Sequence, residues 1–423
     1  MKVLVIGGGG REHALVWKLR QSPLVSRLYC APGNPGIAAL ATCVPLAAEQ
    51  VTELADFAAA TEIELTVVGP EVPLALGLVD EFKRRELLVF GPSRHAAQLE
   101  SSKIFAKEFM LRHGIPTPSA EVARNEEEAR TAAAKIGLPL VLKADGLAAG
   151  KGVLIVHSEQ DLEQGMDAFF EQRRFGSSGD RVLVEPFLVG EEVSYMGLSD
   201  GTTILPLATS KDYKRIGEDD TGPNTGGMGS HSPSGVLGPE LEQDILDRVL
   251  RPAVAGMASE GHPLVGVVYA GLILTSEGPQ VLEFNIRFGD PEAQVILLRL
   301  QDDLAAVLSS GARGSFTSDS LRFSEQTAAC IVLASRGYPE APAKGDEILG
   351  LDSAMNQADI EIFHAGTVLD GDRVIATGGR VINVCALGDD LEEALDRAYE
   401  ACAAVSWENK VLRRDIGRRV LAG

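Results

Sequence analysis

Within the first hundred residues, short apolar runs that end in glycine alternate with helix-like segments, and few folds accommodate that rhythm. Val3–Ile6, Leu28–Ala31, Leu65–Val68 and Val89–Phe90 read as strands, with helices near 13–21, 51–60 and 73–85 between them. Parallel strands need a crossover helix, so the alternation predicts a doubly wound parallel sheet. Glycines follow each strand: Gly7–Gly10, Gly33 with Gly36, Gly69 and Gly91. Ligands of such sheets bind at the carboxyl ends of the strands. Gly7-Gly-Gly-Gly-Arg-Glu-His13 opens a helix, so its N–H groups and dipole predict an anion site. Arg11 would add a two-pronged phosphate contact. A nicotinamide fold fits less well. Glu12 stands where that fingerprint needs glycine, and Tyr29-Cys-Ala-Pro-Gly33 offers no acid after the second strand.

Residues 93–113 read as two short helices, with Lys103 placed near a helix start, and Ile115-Pro-Thr-Pro118 reads as a linker. A compact α+β unit follows from about 119 to 190. Its expected elements are a strand near 120, helix 125–136, strand 139–143, a loop, strand 153–156, helix 159–172 and strand 181–185. The loop is Lys143-Ala-Asp-Gly-Leu-Ala-Ala-Gly-Lys-Gly-Val153. Gly146, Gly150 and Gly152 allow close backbone approach, and Lys143 and Lys151 bracket them with charge. This suits a flap over nucleotide phosphates. It is not a Walker A loop: three residues separate Gly146 from Gly150, and glycine follows Lys151. The competing reading is a surface hairpin with two solvated lysines. Glu185-Pro-Phe-Leu-Val-Gly-Glu-Glu192 suits an adenine held through the backbone, with Glu191 or Glu192 on the ribose; a solvated acidic turn is the alternative.

Strands are expected at 193–198 and 204–209, followed by Lys211-Asp-Tyr-Lys-Arg215. The run Thr221-Gly-Pro-Asn-Thr-Gly-Gly-Met-Gly-Ser230 is too rich in glycine and hydroxyls to carry a core, and reads as a substrate loop. Helix 239–260 and strand 265–274 come next. In Gln280-Val-Leu-Glu-Phe-Asn-Ile-Arg-Phe-Gly-Asp-Pro-Glu292, strand alternation puts Glu283, Asn285 and Arg287 opposite Leu282, Phe284 and Ile286. A carboxylate and an amide oxygen on one face are hard ligands suited to magnesium bridging phosphates. The last piece, 325–423, predicts strands near 327–334, 360–363, 373–376 and 380–386 and a helix over 391–406. It shows no convergent catalytic cluster and reads as packing with a few loop contacts.

The 423 residues imply about three domains. A net charge of −21 argues against general nucleic-acid or membrane binding. No apolar run is long enough to span a bilayer, and Met1–Ile6 leads straight from strand into turn, so neither an anchor nor a signal peptide is expected. The five scattered cysteines suit reduced thiols of a cytoplasmic protein.

Together these motifs resemble the ATP-grasp superfamily, and within it the phosphoribosylamine–glycine ligases. The resemblance rests on Gly7–His13, Pro32-Gly-Asn34, Val68-Gly-Pro-Glu71, Lys103, Lys143–Val153, Asp220–Gly229, Glu283–Glu292, Phe363-His-Ala-Gly-Thr367 and Asp415-Ile-Gly417. Gly8 stands where asparagine is common, Tyr213 where histidine, Pro186 where glutamate and Arg418 where tryptophan. The implied fold is α/β and α+β multidomain. An N-terminal α/β substrate-phosphate domain spans 1–103. An ATP-grasp core spans 104–118 and 191–325, with a mobile lid over 119–190. A small C-terminal α+β domain spans 326–423. The implied reaction joins glycine to 5-phosphoribosylamine through a glycyl phosphate, using ATP and Mg²⁺ or Mn²⁺, in a monomer.

The resemblance also implies roles. Lys103 and Lys143 hold ATP phosphates beneath a closing loop that includes Gly146, Gly150, Lys151 and Gly152. Glu185, Phe187, Leu188, Glu191 and Glu192 surround the adenosine, and Glu283 and Asn285 bind the metal. Arg287, Asp290 and Asp212 serve the chemistry. Gly8, Gly9, Gly10, Arg11, Glu12, Asn34, Gly69, Pro70 and Glu71 take one side of the substrates. Lys214, Asp220, Asn224, Thr225, Gly226, Gly227 and Met228 take the other. The rivals are another ATP-grasp ligase, a nicotinamide oxidoreductase resting on the glycine-rich start, and a non-catalytic nucleotide sensor.

Overall fold

The computed structural model describes residues 1–147 and 152–421. The N-terminal sheet is parallel, in the order β3 (Thr42–Cys43), β2 (Arg27–Pro32), β1 (Lys2–Gly7), β4 (Leu65–Val68) and β5 (Val89–Phe90). Alternation along β1 splits its side chains between two cores. Leu4 and Ile6 pack with Leu54, Leu78 and Phe82, whereas Val3 and Val5 pack with Leu15, Val16 and Leu19. Burial on both faces explains why β1 reads as an unbroken apolar run. β3, only two residues long, was not legible in the sequence.

The first helix, Gly10–Arg20, starts three residues earlier than expected because Glu12 caps the N–H of Gly9 at 2.7 Å. Eight of its eleven residues are buried, Arg11, Glu12 and His13 among them. The reason is tertiary: the C-terminal sheet covers its other side, with Phe363, Cys330 and Cys385 in the same core as Leu15 and Val16.

The 119–190 unit forms a small antiparallel sheet: β6 (Glu121–Ala123), β9 (Val182–Pro186), β7 (Leu140–Ala144) and β8 (Val153–Val156), in that order. Leu140, Leu142, Val184, Met166 and Phe169 give it a separate core. The expected helix 159–172 is α-helical over Glu159–Met166 and π-helical over Asp167–Glu171.

A third sheet carries Ile204–Pro206, Glu191–Asp200, Val265–Thr275 and Gly278–Asn285, all antiparallel. The last pairing departs from strict alternation. Gly271 faces Glu283 but Leu272 faces Val281, so Leu282 sits in a bulge. The core side is therefore taken by Val281, Phe284 and Ile286, not by Leu282.

The glycine-rich 221–230 run also differs from expectation. Its end, Gly229–Ser232, is a fully buried strand hydrogen-bonded to Thr327–Ser335 of the C-terminal sheet. That sheet continues through Arg380–Gly388 to Ile360–His364. The tail of the candidate loop is thus anchored in the C-terminal sheet. Among the described residues, no helix is long and apolar enough to cross a membrane.

The first helix and the C-terminal sheet meet at two buried histidines. The N–H of His364 donates to Nδ1 of His13 at 2.8 Å, and Asn34 Nδ2 donates to the carbonyl of His364 at 2.8 Å. Burial, with His364 nearby, lowers the His13 pKa to about 3, and burial lowers that of His364 to about 4. Both stay neutral in the fold, so below pH 6.5 the unfolded chain binds the protons preferentially. Stability is complete above that pH and falls as pH drops towards the folded values. Between pH 6.5 and 5 each histidine is expected to withdraw on the order of 2 kcal/mol. His231, buried and lowered to about 4, adds a similar share. Urea unfolding across this range checks the slope; His13→Gln should flatten it, and an unchanged slope would sink the assignment.

Candidate active site

The glycine loop packs around one carboxylate. Glu12 is 2 % exposed; its Oε2 accepts from Gly9 N and its Oε1 from Arg11 Nε at 2.6 Å. A Cβ on Gly69 would lie 2.2 Å from Glu12 Oε1, so only glycine lets β4 end there. Arg11 also donates Nη1 to the carbonyl of Phe288 at 2.9 Å, tying the loop to the far end of the Gln280–Glu292 stretch. Asn34 Nδ2 donates to the carbonyl of Gly8 at 2.9 Å. Pro70 and Glu71 start the helix that follows β4, and Glu71 Oε2 lies 3.5 Å from Arg287 Nε. Burial favours the neutral form of Glu71, but Arg287 and Arg11 outweigh it and hold its pKa below the usual range. Gly8, Gly9, Gly10, Arg11, Glu12, Asn34, Gly69, Pro70 and Glu71 thus gather at the carboxyl ends of the parallel strands.

A second group lines the strand Gly278–Asn285. The bulge leaves the Leu282 carbonyl free to accept from Lys143 Nζ at 3.0 Å. Lys143 also pairs with Glu185 at 2.6 Å, and Lys107 meets the other oxygen of Glu185 at 2.7 Å. Glu185, expected beside adenine, is therefore a buried bridge between two lysines. Lys107 was missed; its signal is its place one helical turn after Lys103. Lys103 opens its helix behind the cap of Ser102 and donates to the carbonyl of Gly146 at 3.3 Å. Gly152 accepts from Ala144 N at 2.7 Å. Gly150 and Lys151 lie outside the described residues. Phe187 stands edge-on to His157 at 5.4 Å, with Leu188 half-buried beside it. Glu191 and Glu192 pair with Lys211 at 2.6 Å and Lys214 at 3.6 Å.

The Glu283 carboxylate has no hydrogen bond or ion pair among the described residues, although its backbone is paired with Gly271. Burial opposes its charge, but Lys214, Lys103, Lys143 and Arg287 prevail and keep its pKa low. Arg287 Nη2 donates to Asn285 Oδ1 at 3.0 Å and pairs with Glu100 at 3.2 Å. Glu100, which the sequence did not single out, also accepts from Ile286 N at 2.9 Å.

The third group is Asp212, Lys214, Asp290 and Glu292. Asp212 Oδ1 is buried with no partner among the described residues. Burial, then Glu292, pushes the Asp212 pKa well above the carboxylate range. Glu292 accepts from Tyr269 OH at 2.5 Å, and Tyr269 OH meets Ser194 Oγ at 2.7 Å. Burial works against the Lys214 charge, but Glu192, Glu283, Asp212 and Glu292 raise its pKa. Asp290 is held by Arg380 at 3.0 Å and by Gln294 at 2.7 Å. Thr225 folds back on the Lys214 carbonyl, bonding it through both N and Oγ1. Gly226 and Gly227 lie against Arg380 and Asp212, and Met228 is buried packing.

Asp220 and Asn224 belong to the hairpin formed by Arg215–Gly217 and Thr221–Asn224. Asp220 is engaged by Arg413 and Arg419, both at 2.9 Å. Glu292 was visible within the Gly-Asp-Pro-Glu run. Arg380 had no local signal, lying 90 residues after the aspartate it binds.

Residues 1–100, 101–293 and 328–419 match the N, ATP-grasp (A) and C domains of the phosphoribosylglycinamide synthetase family. A phosphoribosylamine–glycine ligase of Agrobacterium fabrum is 47% identical over 422 residues, covering 100% of this chain and 99% of that protein. One from Vibrio cholerae is 46% identical over 429 residues, covering 100% and 99%. The crystal structure of phosphoribosylamine–glycine ligase from Thermotoga maritima superposes with a TM-score of 0.86 at 35% identity, covering 98% of this chain and 100% of that one. A biotin carboxylase domain from Hydrogenobacter thermophilus, solved with MgADP and bicarbonate, shares the fold at a TM-score of 0.72 and 17% identity, over 97% of this chain and 91% of its own. Matched in all three domains and aligned end to end with its relatives, the chain belongs to the phosphoribosylglycinamide synthetase family, whose central domain is an ATP-grasp.

Proposed function

We propose that this cleft joins glycine to 5-phosphoribosylamine at the expense of ATP, giving glycinamide ribonucleotide, ADP and phosphate. The observation that carries the reading is a continuous polar track. It runs from Lys103, bonded to the Gly146 carbonyl, and Lys143, bonded to the Leu282 carbonyl, past Glu283 and Asn285 to Arg287 and Glu71, and on through Phe288 to Arg11 of the glycine loop. Phosphate-handling cations thus stand at one end and a helix N-terminus suited to a phosphate at the other.

A glycine carboxylate oxygen attacks the γ-phosphorus, the bond to ADP breaks, and glycyl phosphate forms. The amine nitrogen of phosphoribosylamine then attacks the acyl carbon. The bond to phosphate breaks, and the nitrogen's proton leaves with it as hydrogen phosphate. Transfer of this kind needs positioning and charge neutralisation more than a protein base. Lys103 and Lys143 neutralise the nucleotide phosphates. Arg287 draws the glycine carboxylate into line. Asp212 and Asp290, with the 225–228 turn, hold the amine end, and Arg11 with the loop N–H groups takes the ribose 5-phosphate.

The residues fit a divalent ion. The Glu283 carboxylate is kept ionised by four surrounding cations and has no partner among the described residues, and Asn285 Oδ1, which accepts from Arg287 and has a second lone pair, lies on the same strand end. Among the described residues no group of three or more His, Cys, Asp or Glu could hold a metal ion by itself, so a divalent ion here would rely on Glu283, Asn285 and the nucleotide. A carboxylate and an amide oxygen are hard donors suited to Mg²⁺ or Mn²⁺, which usually keep water and nucleotide phosphate in their shells. Bound there, the ion would neutralise phosphate charge.

ADP release tests the reaction. With ATP and Mg²⁺ present, release should require glycine and freshly generated phosphoribosylamine together. Release with another carboxylate or amine would move the chain to a different ligase activity, and bound ATP without release would make it a sensor. A second expectation concerns Glu283→Gln: turnover should fall about 100-fold or more, and half-activation should need more Mg²⁺. Unchanged Mg²⁺ dependence would place the ion elsewhere.

A further inference from the structure

Arg380 is the first residue of the C-terminal strand Arg380–Gly388, far in sequence from every other site residue. Its guanidinium nevertheless joins two of the segments around the amine. Nη1 donates to the carbonyl of Gly226 at 2.7 Å and to the carbonyl of Asp290 at 2.5 Å. Nη2 pairs with Asp290 Oδ2 at 3.0 Å. The fit is close: a Cβ on Gly226 would lie 2.9 Å from Arg380 Cζ. Tyr338, also from the C-terminal domain, accepts the N–H of Gly226 at 2.9 Å through its hydroxyl. Gly226 is therefore gripped on both its backbone groups. The grip has a firm base. Gly366 N donates to the Arg380 carbonyl at 3.0 Å, and the strand pairs with Thr327–Ser335. The gripped carboxylate faces the glycine loop, since a Cβ on Gly9 would lie 3.8 Å from Asp290 Oδ2.

We propose that Arg380, assisted by Tyr338, is a positioning residue through which the C-terminal domain sets the Asp290 carboxylate and the 225–228 turn for the phosphoribosylamine nitrogen. This rests on the reading of Asp290 given above. A planar, permanently charged fork suits the task because it holds two carbonyls and one carboxylate at once, which an ammonium does less well.

Steady-state kinetics on the full chain test it. Arg380→Gln is expected to lower kcat/KM for phosphoribosylamine about 10- to 100-fold, with KM for ATP within about twofold. Its urea midpoint should match that of the parent. Tyr338→Phe, which removes one hydroxyl, should show the same selectivity with a loss of about 3- to 10-fold. Combining Arg380→Gln with Asp290→Asn should cost no more than the worse single change, because both break one unit. Equal losses on all three substrates, full additivity, or no loss would overturn the proposal. Should Arg380→Gln fail to fold, Tyr338→Phe decides by the same criterion. Asp290→Asn alone separates the two readings. If it leaves phosphoribosylamine kinetics unmoved, the role given to Asp290 is wrong. If it impairs them while Arg380→Gln does not, only the present inference fails.

Discussion

The site depends on the buried bridge Lys107–Glu185–Lys143. Charges buried this deeply persist only when paired and hydrogen-bonded. Glu185 meets both lysines below 3 Å, and Lys107 is further tied to Thr117 Oγ1 and the Pro118 carbonyl. The bridge joins three pieces of chain. Glu185 and Lys143 come from the small antiparallel sheet, and Lys107 from the helix after the N-terminal sheet. Lys143 then reaches the Leu282 carbonyl beside the proposed metal ligands. One carboxylate between two ammoniums leaves net positive charge, a local excess that an anionic nucleotide can complete. Overall acidity, with a net charge of −21, does not prevent this, because short-range arrangement governs a desolvated site.

The bulge at Leu282 has the same kind of consequence. In a regular ladder the Leu282 carbonyl would be used up by the neighbouring strand. One extra residue releases it towards Lys143 and turns Val281 and Phe284 into the core together. A local irregularity thereby sets the distance between Lys143, proposed to hold phosphate, and the strand end that carries Glu283 and Asn285.

Glycines set the other spacings. Gly69 makes room for Glu12, and Gly226 for Arg380. In each case the glycine and the charged group lie far apart in the chain, so a pattern of glycines signals close approach without naming the partner. That explains why the glycine loop and the 221–230 run stood out as candidates in the sequence while Glu100, Lys107 and Arg380 did not. Asp220 illustrates the converse. It sits inside a conspicuous motif, yet Arg413 and Arg419 engage it at the hairpin.

Local chemistry decided what the sequence alone could determine. Period-two and period-3.6 patterns placed the strands of the N-terminal sheet other than the short β3 and most of the longer elements, but not the helices Glu292–Arg299 and Leu304–Ala312. Glycines after strands marked the carboxyl ends of the parallel sheet, and Glu-x-Asn-x-Arg marked an oxygen-bearing run beside an arginine. What only the tertiary structure decided were long-range pairings. These include the bridging of Glu185 by Lys107, the burial of His13 against His364, the absorption of Gly229–Ser232 into the C-terminal sheet, and the reach of Arg380 to Asp290. Periodicity reports which face of an element is apolar. It carries no information about which distant polar group will be buried opposite, because that depends on how whole sheets dock.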